Sequence, residues 1–285
     1  MGTGIAHAFA HAGFCTALVD SNADALMRAQ QAIGKILDDG VRLGKLDTAA
    51  AESAKGRLSV YADLTTAAAG AHLLIETVSE NLATKQAVLT AAAAVMADDA
   101  IYATNTSALS VTKIAASVVS PERVIGMHFF NPVHKMKLVE LVRGLATSDE
   151  TVALTRTYSD AIAKTSIIVN ESPGLTTSRM SALLGNEAMW MLQEGTATAE
   201  DIDTALRLGF NHPMGPLELG DLTGWDTRLS VLMYLHSTLG EKFRPCPLIL
   251  KMVAAGRYGR KTGHGVYRYE DGQKVPGSGL KGSAI

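Results

Sequence analysis

"MGTGIAHAFAHAGFCTALVD", residues 1–20, decides how the first half of this chain is read. Gly2 and Gly4 stand at the start of a helical stretch, and residues 14–20 read as a buried strand that ends in an acid. A dinucleotide-binding βαβ unit opens with a strand, and a glycine-rich G-x-G-x-x-G turn then leads into a helix. Here a single residue precedes Gly2. Asp20 falls where such a fold keeps the acid that accepts hydrogen bonds from the adenosine ribose, and a carboxylate there repels a 2′-phosphate. It therefore points to NAD rather than NADP. Taken alone, the same aspartate in "VDSNAD" reads equally well as a turn or helix-capping residue.

Outward from this stretch, short apolar runs alternate with alanine-rich amphipathic segments, the rhythm of a parallel sheet covered by helices. The strand candidates are residues 14–20, 71–78, 100–104, 123–130, 137–142 and 166–170. Residues 23–57, interrupted near Gly44, are too long for a plain crossover and read as a helical hairpin set into the order of the sheet. After Asn170 the strand rhythm stops. "ESPGLTTSRM" (171–180) starts with a Pro-Gly breaker, and helical patterns then run to about Gly256. The expected architecture is an α/β, Rossmann-type N-terminal domain over residues 1–171 and an all-α domain over 172–269. Residues 270–285, rich in Gly, Ser and Lys, are expected to be a disordered tail.

Composition narrows the chemistry. With 26 basic against 28 acidic residues and a net charge of −2, the chain offers no basic field for a nucleic-acid backbone. Two cysteines, Cys15 and Cys246, form no C-x-x-C motif, which favours a reducing cytoplasm over a disulfide framework. The longest apolar stretches fall short of the about 18 residues a membrane span requires, and no signal peptide is expected. His7 and His11 have the i, i+4 spacing of a helical metal pair but lack an evident third ligand.

His128 and Glu140 are more informative. They lie on the two strand candidates flanking "NPVHKM" (131–136), and antiparallel pairing centred near His134 would bring them opposite each other. A carboxylate beside an imidazole raises its basicity and fixes its tautomer. That suits a general base removing an alcohol proton while hydride leaves the adjacent carbon. A half-buried histidine with a structural hydrogen bond is the plainer alternative.

The motifs "ETVSENLATK", "TNTSALS", "GMHFFNPVHKMKLVEL", "ESPGLTTSRM", "NHPMGPLELGDLTGWD" and "GRYGRKTGHGVYRY" occur in this order. In them the chain resembles the short-chain 3-hydroxyacyl-CoA dehydrogenases, especially the bacterial 3-hydroxybutyryl-CoA dehydrogenases, from Gly2 to about Tyr269. The resemblance implies an NAD-binding Rossmann-type domain, a helical domain that dimerises, and a CoA thioester bound in a cleft between the two. It makes His128 the catalytic base, Glu140 its acidic partner, Ser107 the residue that hydrogen-bonds the substrate C3 oxygen, and Asn131 the asparagine following the base. Glu80, Lys85 and Asn105 fall on the cofactor side, with Gly2, Gly4 and Asp20.

Two departures stand out. Ser178 occupies the place of an asparagine that helps bind substrate in many members, so it is expected to take over that contact with a shorter reach. Family members also begin with a strand and "GAGxMGxGIA", of which "MGTGIA" matches only the end. The expectation is an internal methionine taken as the start, with the first strand and two glycines absent. The implied reaction is interconversion of (3S)-3-hydroxyacyl-CoA and 3-oxoacyl-CoA in fatty-acid or butanoate metabolism. The alternative is a noncatalytic dimeric relative unable to hold its cofactor.

Overall fold

The computed structural model describes residues 1–282 and divides into two compact units, Met1–Ser172 and a second beginning at Pro173. The first unit runs α1 (Gly2–His11), β1 (Thr16–Val19), α2 (Ala23–Arg42), α3 (Thr48–Gly56), β2 (Leu58–Tyr61), α4 (Leu64–Ala68), β3 (Leu73–Glu76), α5 (Leu82–Ala93), β4 (Ile101–Thr104), α6 (Val111–Ala115), β5 (Val124–Phe129), β6 (Leu138–Arg143), α7 (Asp149–Ala161) and β7 (Thr165–Asn170). Six of these helices start at an Asn, Asp or Ser whose side chain accepts an amide of the first turn. The caps are Asn22, Asp47, Asp63, Asn81, Ser110 and Ser148. Each removes an orphan donor and fixes a boundary.

α2 and α3 form the helical hairpin, turning at Gly44 with φ +67°. The strand β2, directly after the hairpin, was not anticipated. It pairs in parallel with β1 to make a two-stranded sheet, while β3-β4-β5-β6-β7 make a five-stranded one. Only the β5–β6 pair is antiparallel. Among the described residues no strand joins β1 to β3; the first turn of α1 lies by both, since a side chain on Gly2 would meet Thr77 and Leu18. β4 and β5 are buried along their whole length, as strands covered on both faces must be. Ile125, Met127, Val139 and Leu141 form their core with Ile5 and Phe9 of α1. Each fully buried side chain of this kind contributes roughly 1.5–3 kcal/mol.

Around α1, His7 stacks on His11 at 5.9 Å and meets His134 edge-on at 6.4 Å. Among the described residues no His, Cys, Asp or Glu group could hold a metal. Burial first, then His11, His134 and Lys164, lowers the His7 pKa to about 4. A base that binds protons less readily when folded stabilises the fold above its unfolded pKa near 6.5 and loses that contribution as pH falls toward 4. Urea unfolding of His7→Leu should therefore show a shallower fall in stability between those pH values than the unsubstituted protein. An unchanged slope would contradict this.

The second unit consists of α8 (Thr177–Gln193), α9 (Ala199–Gly209), α10 (Pro216–Thr223), α11 (Trp225–Leu239), α12 (Pro247–Ala254) and a hairpin of β8 (Tyr269–Glu270) with β9 (Gln273–Lys274). Met189, Leu192, Leu217, Trp225, Leu232, Ile249 and Tyr267 fill its centre. Two buried aspartates hold it together. Asp203 accepts the Leu217 and Glu218 amides at the start of α10 and the Tyr267 hydroxyl. Asp221 accepts from Trp225 Nε1 at 2.6 Å, the Val266 and Tyr267 amides at 2.8 and 2.9 Å, and the Tyr269 hydroxyl at 3.1 Å. A side chain at Gly259 or Gly265 would collide with Asp221, which explains two of the four glycines of "GRYGRKTGHGVY".

The expectation of a disordered tail is corrected for residues 270–282. The hairpin folds them back, Arg268 N donates to Ser278 Oγ, Gly279 N donates to Glu200, and Leu280 N donates to Val266 O. Low side-chain content did not prevent order, because backbone amides supply the contacts. Residues 283–285 lie outside the described residues.

Candidate active site

The antiparallel register of β5 and β6 sets His128 opposite Glu140, as the sequence symmetry about His134 predicts. His128 Nδ1 lies 2.7 Å from Glu140 Oε2, and Glu140 is fully buried. An ionised carboxylate only accepts, so Nδ1 carries the proton and donates it. Nε2 then holds the lone pair, and it faces Ser107 Oγ at 3.3 Å. The histidine is thus tied at one nitrogen and available at the other.

Ser107 is exposed on the turn after β4. Asn105, at the start of that turn, donates its amide to Glu76 O at 2.8 Å and accepts the Phe129 amide on its side-chain oxygen at 2.9 Å. It therefore locks the Ser107 turn to the strand bearing His128. Glu80 grips the same turn: its Oε1 accepts from Thr106 Oγ1 at 2.5 Å, Ser107 N at 3.0 Å and Ala108 N at 3.1 Å. Burial pushes the Glu80 carboxyl up, but the Thr106 hydroxyl, the Lys85 ammonium and the two amides outweigh it and hold the pKa below the usual value. Glu80 is therefore an anion at neutral pH.

Lys85 is not the solvated lysine that its helical position allows. It is fully buried, with Nζ 3.0 Å from Glu76 Oε1 and 3.3 Å from Glu80 Oε2. Glu76 and Thr104, which donates to it at 2.7 Å, complete this cluster. Sequence reasoning gave neither residue a role, although Glu76 opens "ETVSENLATK" and Thr104 opens "TNTSALS".

Asn131 is exposed and precedes Pro132 through a cis peptide bond. The loop after it is pinned by Lys164, whose ammonium donates to Val133 O at 2.6 Å and Met136 O at 2.7 Å. Gly4 packs against Val133, where a Cβ would approach to 2.9 Å. Its lack of a side chain here serves the approach of α1 to the His128 loop.

A separate pocket of about 190 Å³ lies beside α1, lined by Gly2, Thr3, Leu18, Asp20, Leu26 and Thr77 among others. Asp20 is exposed at its edge and accepts the Asn22 amide at 2.9 Å. Met1 caps α1 without a side-chain hydrogen bond, so the positive end of the helix faces this pocket with no side-chain acceptor. An acid and a helix N-terminus at one pocket fit the adenosine and pyrophosphate of a dinucleotide. In the second unit, Ser178 is half-buried in the first turn of α8.

A nucleotide-type α/β unit, a base with its lone pair turned to a serine, and a separate helical unit define a dehydrogenase acting on a hydroxyl group. Residues 1–172 match the model of the 3-hydroxyacyl-CoA dehydrogenase NAD binding domain, and residues 174–269 that of the 3-hydroxyacyl-CoA dehydrogenase C-terminal domain. The chain belongs to the 3-hydroxyacyl-CoA dehydrogenase family. A probable 3-hydroxybutyryl-CoA dehydrogenase of Bacillus subtilis is 43% identical over 95% of this chain and 94% of its own length. The 3-hydroxybutyryl-CoA dehydrogenase of Bradyrhizobium diazoefficiens is 41% identical over 97% of this chain and 94% of its own length. The crystal structure of (S)-3-hydroxybutyryl-CoA dehydrogenase from Ralstonia eutropha superposes with a TM-score of 0.91 at 40% identity, covering 95% of this chain and 96% of that one. None of these supports the noncatalytic alternative.

Proposed function

We propose that the protein interconverts (3S)-3-hydroxybutyryl-CoA and 3-oxobutyryl-CoA with NAD. The observation that carries this reading is the Glu140–His128–Ser107 line, with distances of 2.7 and 3.3 Å. In the oxidative direction His128 Nε2 takes the substrate hydroxyl proton as the C3–H bond breaks and the C3 carbonyl forms. NAD, held on the side of Gly2, Gly4 and Asp20, would supply the hydride acceptor. Glu140 fixes the imidazole and balances the charge it acquires. The Ser107 hydroxyl hydrogen-bonds the C3 oxygen beside His128, and Asn131, next to the base, completes the catalytic set. Ser178 is assigned a substrate contact. On the cofactor side stand Gly2, Gly4, Asp20, Glu80 and Asn105, with Lys85 acting through Glu80. The reaction belongs to fatty-acid or butanoate metabolism, and the free cysteines fit a cytoplasmic location. Among the described residues no helix is long and apolar enough to cross a membrane.

Two tests address the finer parts of this reading. Asp20 beside a 2′-phosphate sets like charges a few ångströms apart, which costs on the order of 1–4 kcal/mol between water-like and surface dielectric limits. The kcat/KM for NADH should exceed that for NADPH by about tenfold or more, and Asp20→Ser should narrow the ratio. Equal values in the unsubstituted protein would remove Asp20 from this role.

We also propose a homodimer formed through the helical unit. Met180 and Leu184 of α8 and Met233 of α11 stay 54, 41 and 58% exposed, and Leu208 and Phe210 more so. These exposed side chains on one unit are the apolar surface that a second copy would cover. Met189 of the same helix as Met180 and Leu184 is fully buried and belongs to the core. Light scattering at micromolar concentration should give twice the 30.0 kDa chain mass; a single-chain mass would contradict the dimer.

A further inference from the structure

Glu76, the buried partner of Lys85, has no part in the mechanism above, yet its surroundings are built in detail. Glu76 ends β3 with 2% of its surface exposed. Its carboxylate accepts from the Val78 amide at 2.6 Å, the Thr104 hydroxyl at 2.7 Å, and the Lys85 ammonium at 3.0 Å to one oxygen and 3.1 Å to the other. Lys85 also lies 3.3 Å from Glu80 Oε2. One ammonium therefore serves two carboxylates, and the closer contacts go to Glu76. Glu80 keeps a single, longer contact with Lys85 and uses its other oxygen on the Thr106–Ser107–Ala108 turn. Replacing a buried ion pair with apolar groups of the same shape is often neutral or stabilising. Stability alone therefore does not account for this arrangement.

We propose that Glu76 is a positioning residue: by holding Lys85 it leaves Glu80 free to clamp the 106–108 turn, and so sets Ser107 against His128 Nε2. With Glu76 neutral, Glu80 becomes the sole anionic partner of Lys85 within the cluster. Coulomb attraction then draws Glu80 toward the ammonium and away from the turn donors. Ser107 loses its bracing while the sheet that carries His128 and Glu140 stays as it is. Small misplacements of this kind at a reacting centre cost rate rather than binding.

The proposal rests on the dehydrogenase reading above, and the test separates the two. Glu76→Gln keeps the shape, and the Thr104 hydroxyl can turn to accept from the new amide. The variant is assayed for reduction of 3-oxobutyryl-CoA by NADH, both alone and in a Ser107→Ala background. The expected result is about a tenfold loss of kcat for Glu76→Gln, KM for the thioester within about twofold, and little further loss in the Ser107→Ala background. Equal losses in both backgrounds, or an unchanged kcat, would overturn the positioning role while leaving the dehydrogenase reading in place. Absence of turnover by the unsubstituted protein would overturn both. Should Glu76→Gln fail to fold, Thr104→Val, which deletes one hydrogen bond that orients the Glu76 carboxylate toward Lys85, should lower kcat in the same direction by a smaller factor. Thr104→Ser should restore the rate, and an equal loss in both variants would count against the proposal.

Discussion

Replacing His128 with Gln should lower kcat by about 10²- to 10⁴-fold, the usual scale for a positioned general base, while KM for the acyl-CoA changes far less. In energy this is about 2.7–5.4 kcal/mol of the activation barrier. Glutamine is close in size and can still hydrogen-bond Glu140, so the β5–β6 register and the buried carboxylate keep a partner. What it cannot do is accept a proton at the place of Nε2, 3.3 Å from the Ser107 hydroxyl. A kcat-specific loss in a variant with an unchanged melting profile would assign the effect to chemistry. Near-normal turnover would rule His128 out as the base.

Asp221→Ala should destabilise the helical unit by on the order of 4 kcal/mol or more. The substitution strands four donors at once, the Trp225 indole, the Val266 and Tyr267 amides and the Tyr269 hydroxyl. Each buried donor left without a partner costs about 1–3 kcal/mol. Both tryptophans of the chain, Trp190 and Trp225, belong to this unit, so their fluorescence in a urea titration reports on it selectively. Asp226→Ala offers the contrast on the neighbouring helix: its carboxylate pairs with a half-exposed Lys261, and solvent screening limits such a pair to about 1 kcal/mol or less. Equal midpoints for the two variants would show that Asp221 is not the tie between α10 and the segment carrying Val266 and Tyr267.

Some of this was open to sequence reasoning, and the reasons are physical. The His128–Glu140 register follows from two apolar runs placed symmetrically about His134, and pairing of period-two strands leaves few other choices. The helical hairpin showed itself by its length and by Gly44. β2 was missed because "LSVY" has four residues and follows a helix without a clear break. The tail was misread because composition counts side chains, whereas residues 270–282 are held largely by backbone amides. Glu76 and Lys85 lie nine residues apart, across a strand end and a helix start, and no sequence period links them. The same limit applies to Asp221, whose donors at 266, 267 and 269 are more than forty residues away; the motifs were visible, but not the carboxylate that joins them.

With Glu140 holding His128 beside Ser107, the protein should reduce a 3-oxoacyl thioester, the imidazole giving a proton to the C3 oxygen while NADH supplies the hydride. The most direct measurement follows NADH consumption by the purified protein supplied with 3-oxobutyryl-CoA, with chiral analysis of the product. Saturable turnover that forms one (S)-3-hydroxybutyryl-CoA for each NADH oxidised is the expected result. No NADH consumption, or a product of R configuration, would contradict it.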